Sequence, residues 1–233
     1  MIVPFNVIYA TSKGQAKDHL YQDYVKVVDA DECLIAMVAD GLGSAASSAR
    51  GSELICHIIS DWARNIDWNV HDFQEVLNTS IAEWYRRLEL KEIDFHQCCT
   101  TCSLVAVNKN NNHVYLCHIG DSPIFYRYDN EKVRVISSEK DFSNETHCIG
   151  LAHKPQFAVT EFTFIEKFDF LVATDGFGDE IILETIDSLF DYFIQKYNKI
   201  KGKKRNGILK EELKMTMSDK NGDDKSLIFG WTS

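Results

Sequence analysis

The sequence lacks the features that mark disordered and membrane-spanning chains. Proline and glycine are scarce, at 3 and 12 of 233 residues, while hydrophobic residues make up 45% of the chain, which excludes an intrinsically disordered protein. No apolar run approaches the roughly 18 residues that a transmembrane helix needs, so we expect no membrane partner. The first residues have no cationic segment followed by an apolar one, and no signal peptide is predicted.

Positive charge is also in short supply. The chain has 25 basic and 35 acidic residues, a formal net charge of -10. A chain without an evident basic face is a poor nucleic-acid binder, so we expect no nucleic-acid partner but a good capacity for divalent cations.

The cysteines are odd in number and several lie within apolar runs. All 7 are therefore interpreted as reduced thiols, which predicts a cytoplasmic protein. The "CCTTC" segment at Cys98 to Cys102 matches the spacing of no common zinc module.

The hydrophobic pattern predicts strands, two helices, more strands, a helix and a closing strand. Alternation or continuous apolar runs predict strands at 5–11, 23–29, 33–39, 102–108, 113–119, 123–130, 132–138, 156–164, 168–174 and 225–231. The four strands from 102 to 138 are expected to form an antiparallel meander, and the next two a strand pair. Helical spacing is found within 54–62, 73–88 and 186–197. The lysine-rich segment 196–210 is interpreted as a solvated loop between helices rather than a binding patch. This order predicts an α+β fold in a single domain spanning residues 1–233.

Aspartate recurs beside glycine where apolar strands end. "CLIAMVADGLGS" carries Asp40, "VYLCHIGDSP" carries Asp121, and "FLVATDGFGDE" carries Asp175. Asp23 opens a strand and Asp223 precedes the last one. Any single Asp-Gly pair is more often an ordinary turn. The recurrence predicts that these carboxylates gather at one edge of a sheet, where their mutual repulsion requires counter-ions such as Mg²⁺ or Mn²⁺.

With these residues in view, the chain resembles the metal-dependent protein phosphatases of the 2C type, most closely their compact bacterial branch. The resemblance rests on short segments that occur in the family's order along nearly the whole chain: Gln22–Asp23, Val38–Ser52, Thr100–Val107, Ile119–Phe125, Asn144–Thr146, Leu171–Glu180 and Gly222–Ile228. It implies a four-layer α-β-β-α sandwich, in which two central antiparallel sheets are flanked by helix pairs, with metal ions at one end of the sheets.

The resemblance also implies roles for individual residues. Asp40 would bridge two metal ions, and Gly41 would offer its carbonyl oxygen to one of them. Asp175 and Asp223 would complete the first metal site, and Asp23 would hold the second metal through water. The family's weaker third metal site maps to Asp121 and Asp179. Gln22 and Asp224 would surround the ligands without binding metal themselves.

The chain departs from the family at three positions. Gln22 stands where many members have glutamate. Asp18 occupies the position of the phosphate-binding arginine, which leaves Lys17 or His19 as the nearest cationic candidates for substrate binding. Leu42 occupies the position of a histidine thought to act as general acid; His19 is a candidate substitute, although an isolated loop histidine is more often only a surface residue.

The implied function is that of a metal-dependent serine/threonine phosphatase that uses two or three Mn²⁺ or Mg²⁺ ions. Water bridging the metal ions would attack the phosphorus of a phosphoprotein, such as the substrate of a cognate Ser/Thr kinase, with Asp40 and Asp175 as catalytic residues. The alternative is a phosphatase-like phosphoprotein-binding or scaffold protein with weakened catalysis, which the missing arginine and histidine favour. The intact aspartates oppose that alternative because they have no evident use without metal.

Overall fold

Two five-stranded antiparallel sheets form the centre of the protein. The computed structural model describes residues 3–14, 21–68, 72–137, 147–151, 155–202, 204–215 and 222–233. The first sheet has the order β1-β10-β9-β6-β7, and the second has the order β2-β3-β4-β5-β8. The strands are β1 Phe5–Ser12, β2 Tyr24–Asp29, β3 Cys33–Ala39, β4 Cys102–Asn108, β5 His113–Ile119, β6 Ile124–Tyr128, β7 Arg134–Ile136, β8 Ala158–Thr163, β9 Phe168–Ala173 and β10 Lys225–Thr232.

Strand positions are predicted well, but two strand pairings are wrong. β4 and β5 form a hairpin in the second sheet, whereas β6 and β7 pair in the first sheet, so the predicted four-strand meander is split. The chain crosses between the sheets at residues 120–123. The predicted pair at 156–164 and 168–174 is also divided, because β8 pairs with β5 and β9 pairs with β6 and β10. Hydrophobic alternation identifies a strand but does not identify its partner.

Helices cover the outer face of each sheet. α1 Ser48–Asn65 and α2 Phe73–Glu89 pack on the second sheet, and α4 Ile186–Tyr197 and α5 Lys204–Met215 pack on the first. The α+β four-layer sandwich is therefore confirmed. A short helix α3, Asp175–Gly178, follows β9, and 3-10 helices span Phe95–Cys98 and Leu183–Thr185. None of the described helices is long and apolar enough to cross a bilayer.

The lysine-rich segment 196–210 is predicted to be a loop, but both of its ends are helical. α4 continues to Tyr197 and α5 begins at Lys204. α5 is held in place because Leu209 and Leu213 are buried in the core beneath it. The helical pattern of α5 is weak in the sequence because only these two leucines are buried. Gly207, a poor helix former, and the many lysines weaken the pattern further.

Central strands are apolar at every position because both of their faces are covered. In β3, Ile35 and Met37 pack towards α1 and α2, whereas Leu34 and Ala36 pack against the other sheet. β4, β9 and β10 are likewise buried along their whole length. Polar groups at the ends of these strands therefore mark where the chain leaves the core.

Candidate active site

The aspartates selected from the sequence lie at strand ends. Asp40 directly follows β3, Asp175 starts α3 after β9, and Asp121 lies between β5 and β6. Asp23 precedes β2, and Asp223 lies two residues before β10. Because β2 and β10 run antiparallel to β3 and β9, these starts and ends lie at the same end of the sandwich. The residues gather between the ends of two sheets, so the expectation of a single sheet edge is corrected.

Asp40 lies at the electrostatic centre of this group. Loss of hydration raises the pKa of its carboxyl group well above the ordinary value, and the negative charges of Asp23 and Asp175 raise it further. A side-chain hydrogen bond with Asp175 acts in the same direction. The charge of Asp223 adds a smaller contribution.

The Asp23 carboxyl group is almost completely withdrawn from water, with 4% of the residue exposed. This burial raises its pKa to about 7, against an opposing effect of its hydrogen bonds. Thr174 Oγ1 donates to Asp23 Oδ2 at 2.9 Å, and Ser226 also bonds to the Asp23 side chain. Thr174 follows β9 and Ser226 lies in β10, both of the first sheet, so they fix Asp23, which precedes β2 of the second sheet, against the first sheet.

The Asp175 carboxyl group is influenced by two further acidic residues, Asp121 and Asp223. Burial raises its pKa, and the charges of Asp121 and Asp223 raise it further. Its Oδ1 atom is buried and has no hydrogen-bond partner within the described part of the chain. A buried carboxylate oxygen without a donor is unfavourable unless another positive group reaches it.

Two glycines allow the backbone segments at this end to approach closely. A β-carbon on Gly41 would lie 2.7 Å from Ser48 Cβ, at the start of α1. A β-carbon on Gly176 would lie 2.1 Å from the carbonyl oxygen of Asp224. Gly41 directly follows Asp40, and Gly176 directly follows Asp175. The missing side chains of these glycines allow α1 and the residues before β10 to pack close to the two carboxylates.

Asp224 and Gln22 hold backbone segments around the group. Asp224 Oδ1 accepts from the Gly14 N–H and its Oδ2 accepts from the Gln22 N–H, both at 2.9 Å. The Gln22 side chain donates to Ser48 Oγ at 2.7 Å. Asp224 therefore uses both carboxylate oxygens on the backbone, as a positioning residue does.

The remaining predicted site residues divide into two sets. Asp179 is exposed at the end of α3, where its N–H donates to the Asp175 carbonyl oxygen at 2.9 Å. Lys17, His19 and Asp18 lie outside the described residues, as does the segment 144–146 that contributes to the family resemblance.

Several hydroxyl residues that shape the site were not selected from the sequence. Thr101 Oγ1 accepts from the Asp40 N–H at 3.1 Å, and Thr100 Oγ1 donates to the Asp40 carbonyl oxygen at 3.0 Å. Thr174 Oγ1 bonds to Asp23 as described. The available signal was a threonine directly before the Asp175-Gly176 pair and a threonine pair directly before β4, but polar residues at strand ends have many other uses.

The donor set suits a hard divalent cation, although its side chains are not arranged around a common point. No group of three or more His, Cys, Asp or Glu side chains within the described ranges forms a ready metal-binding cluster. The Asp40 and Asp175 carboxyls instead bond to each other. The buried free oxygen of Asp175, the oxygen-only donors and the elevated pKa values nevertheless fit Mg²⁺ or Mn²⁺.

Comparison with known proteins gives a family-level match. The family model described as Protein phosphatase 2C matches residues 12–217. The S. agalactiae serine/threonine phosphatase is similar with a TM-score of 0.75 and 16% identity, covering 99% of this chain and 100% of that chain. No protein with a curated description matches.

Two further solved structures contain metal ions. The catalytic domain of the serine/threonine phosphatase PstP, in complex with 2 manganese ions, has a TM-score of 0.68 and 16% identity, covering 98% of each chain. RsbX in complex with magnesium has a TM-score of 0.66 and 17% identity, covering 98% of this chain and 96% of that chain. At these identities the likeness shows a shared fold.

Proposed function

Because the chain belongs to the protein phosphatase 2C family, we propose that it is a metal-dependent phosphoprotein phosphatase specific for phosphoserine or phosphothreonine. The observation that carries the proposal is the position of the candidate aspartates at one end of the two sheets, where Asp23, Asp175 and Asp223 are near enough to Asp40 for their charges to raise its pKa. We further propose one catalytic domain over residues 1–233, in the cytoplasm of a bacterial-type cell, acting on the phosphorylated substrate of a cognate kinase.

The proposed metal ligands are the residues that the resemblance implies. Asp40 would bridge two ions with help from the Gly41 carbonyl, Asp175 and Asp223 would complete one site, and Asp23 would hold the other through water. Mn²⁺ or Mg²⁺ bound here would lower the pKa of coordinated water and neutralise the charge of the phosphoryl group. Asp121 and Asp179 are the proposed ligands of a third ion.

The chain's own residues would supply position and charge. Thr174 holds Asp23 at 2.9 Å, and the Thr100 and Thr101 hydroxyls hold the backbone of Asp40. These bonds limit the rotation of the carboxylates, so little reorganisation is needed when a charged phosphoryl group arrives. In the proposal, Lys17 and His19 contact the phosphate.

Hydrolysis of a small aryl phosphate with Mn²⁺, with Mg²⁺ and with EDTA tests the proposal. We expect turnover with either metal and none with EDTA. Absence of turnover under every metal condition, in protein that is folded by circular dichroism, would contradict it.

A scaffold function is the second candidate, and the surroundings of Leu42 favour it. Leu42 packs against a small buried cluster of Ala45, Cys99 and Cys148. It cannot donate a proton to a leaving group, which general-acid catalysis requires. A scaffold would bind phosphopeptides tightly without releasing phosphate, so a binding measurement beside the hydrolysis assay separates the two functions.

A further inference from the structure

A cleft opens next to the carboxylate group, at the edges of the two sheets. Its volume is about 510 Å³, and Asp23 is among the residues that line it. β1 is the edge strand of the first sheet and β2 is the edge strand of the second. The cleft is also lined by Tyr9, Tyr21, Tyr24, Asn206 and Lys210. A molecule seated in the cleft would therefore lie beside one of the proposed metal ligands.

The side of the cleft formed by α5 is held rigidly. The Tyr9 N–H on the open edge of β1 donates to Asn206 Oδ1 at 3.2 Å. Arg205 Nη1 donates to Asn6 Oδ1 at 2.7 Å, and Leu209 is buried beneath the helix. The backbone of Lys210 is thus fixed against the edge strand.

Lys210 has no acidic partner within the described residues, in contrast to Lys196 and Lys214. Lys214 forms an ion pair with Glu211 at 2.9 Å, and Lys196 forms one with Glu212. Among the described residues, Lys210 makes neither an ion pair nor a hydrogen bond, and it is exposed. An exposed ammonium group without an acidic partner is available to an external anion.

The other groups in the cleft suit the stem of an acidic side chain. Tyr24 and Tyr21 use their hydroxyls on His57 and Ser226, which leaves their rings as apolar walls. Asn206 accepts from the backbone through its oxygen, which leaves its NH₂ group able to donate.

We propose that this cleft binds an acidic side chain of the substrate two positions from the phosphoresidue, with Lys210 as the residue that selects it. The inference rests on the proposed phosphatase function, because the cleft is adjacent to the site where the phosphate would bind. The side chain two positions along an extended peptide lies on the same face as the phosphoresidue and about 6.6 Å further along the chain, so it can occupy the cleft while the phosphate faces the carboxylates.

Two phosphoserine peptides that differ only in having glutamate or glutamine two positions to either side of the phosphoserine test the proposal. Binding is measured by fluorescence anisotropy with Mn²⁺ present, and both peptides carry a non-hydrolysable phosphonate in place of the phosphate, so that turnover does not interfere. We expect the unmodified chain to prefer the glutamate peptide by about fivefold, the upper range for an exposed ion pair, and less at high salt. Lys210→Ala should abolish the preference, Lys210→Arg should retain it, and Lys210→Glu should reverse it. Lys214→Ala, on the same helix but outside the cleft, is the matched control and should retain it.

Three outcomes would overturn the inference. They are an equal affinity of the unmodified chain for both peptides, no measurable binding of either, or an equal weakening of both by Lys210→Ala. The last result would mean that Lys210 contacts the phosphate itself.

Parallel hydrolysis of the aryl phosphate separates this inference from the proposed function. A chain that hydrolyses the aryl phosphate but shows no peptide preference is a phosphatase without this selectivity. A chain that shows the Lys210-dependent preference but no hydrolysis has the cleft as a phosphopeptide-binding site and lacks the proposed activity.

Discussion

Thr174 donates its hydroxyl hydrogen to Asp23 Oδ2 over 2.9 Å, although the two residues lie 151 positions apart in sequence. The hydroxyl oxygen of Thr174 also accepts from the Ser226 N–H at 3.0 Å. Thr174 follows β9 in the first sheet and Asp23 precedes β2 in the second. One hydroxyl group therefore joins the ends of both sheets at the candidate site.

Replacing Thr174 by valine should destabilise the fold by about 1–3 kcal/mol. Valine preserves the shape of the side chain, but it leaves the buried Ser226 N–H without its side-chain acceptor and removes one of the hydrogen bonds of Asp23. Chemical denaturation measures the free energy of unfolding. Thr174→Ser keeps the hydroxyl and should lose less, and equal losses for the two variants would show that the hydroxyl contributes little.

Asp175→Asn should remove most of the phosphatase activity and leave the fold intact. The substitution keeps the size of the side chain but removes the charge from a proposed metal ligand. Residues that only hydrogen-bond to metal ligands typically lower activity by about 10- to 100-fold when they are replaced, and we expect a larger loss of activity for a ligand itself. The measurement is kcat/KM over a range of Mn²⁺ concentrations. Asp61→Asn, on the exposed face of α1, is the control and should be unaffected. Near-normal turnover by Asp175→Asn would refute its role as a ligand.

The metal-free protein should become less stable as pH rises. The pKa of Asp23 is raised from 3.8 to about 7 in the folded state, so the folded protein binds a proton that the unfolded chain releases. This contribution is present in full below about pH 4 and is lost as pH rises through about 7, by up to about 4 kcal/mol. Unfolding free energies at pH 5 and pH 8 in EDTA check the sign.

Asp23→Asn is the comparison for the pH experiment. It cannot take up the proton, so its stability in EDTA should change less between pH 5 and pH 8. An unmodified chain that gains stability towards pH 8, or a variant with the same pH dependence, would be inconsistent with a buried Asp23 carboxyl group.

Divalent metal should raise the melting temperature and EDTA should lower it. At a hundredfold excess over Kd, a ligand that binds only the folded state adds about 2.7 kcal/mol per site. Asp223→Asn should leave the metal-free protein unchanged or more stable, because one repelling charge has gone, and should reduce the rise caused by Mn²⁺. Thermal melts of both chains with and without metal test this, and an equal loss in both conditions would indicate a turn residue.

The sequence predicts the elements better than their pairing. The spans of β4 and β5 match the apolar runs at 102–108 and 113–119 because both strands are buried between two layers. The division of β6 and β7 from β5 depends on the crossing at residues 120–123, which no local pattern reveals. α5 is missed because Leu209 and Leu213 are its only buried side chains.

At the candidate site, too, individual residues can be predicted from the sequence better than the contacts between them. Asp40 and Asp175 are visible in the sequence because a carboxylate after a buried strand, followed by glycine, is unusual when it recurs. Their supports are less visible. Thr174 reaches Asp23, and Asp224 reaches Gly14, over separations of 151 and 210 positions, so neither contact has a local signature.

Phosphate release from a phosphoserine peptide as a function of Mn²⁺ concentration, compared between the unmodified chain and Asp40→Asn, tests the central claim most directly. Asp40 is the carboxylate around which the others meet, and it is the proposed bridge between two ions. The account predicts that release by the unmodified chain rises with Mn²⁺ and saturates, is abolished by EDTA, and is lost in folded Asp40→Asn at every Mn²⁺ concentration. Release that is independent of Mn²⁺, or that persists in Asp40→Asn, would contradict it.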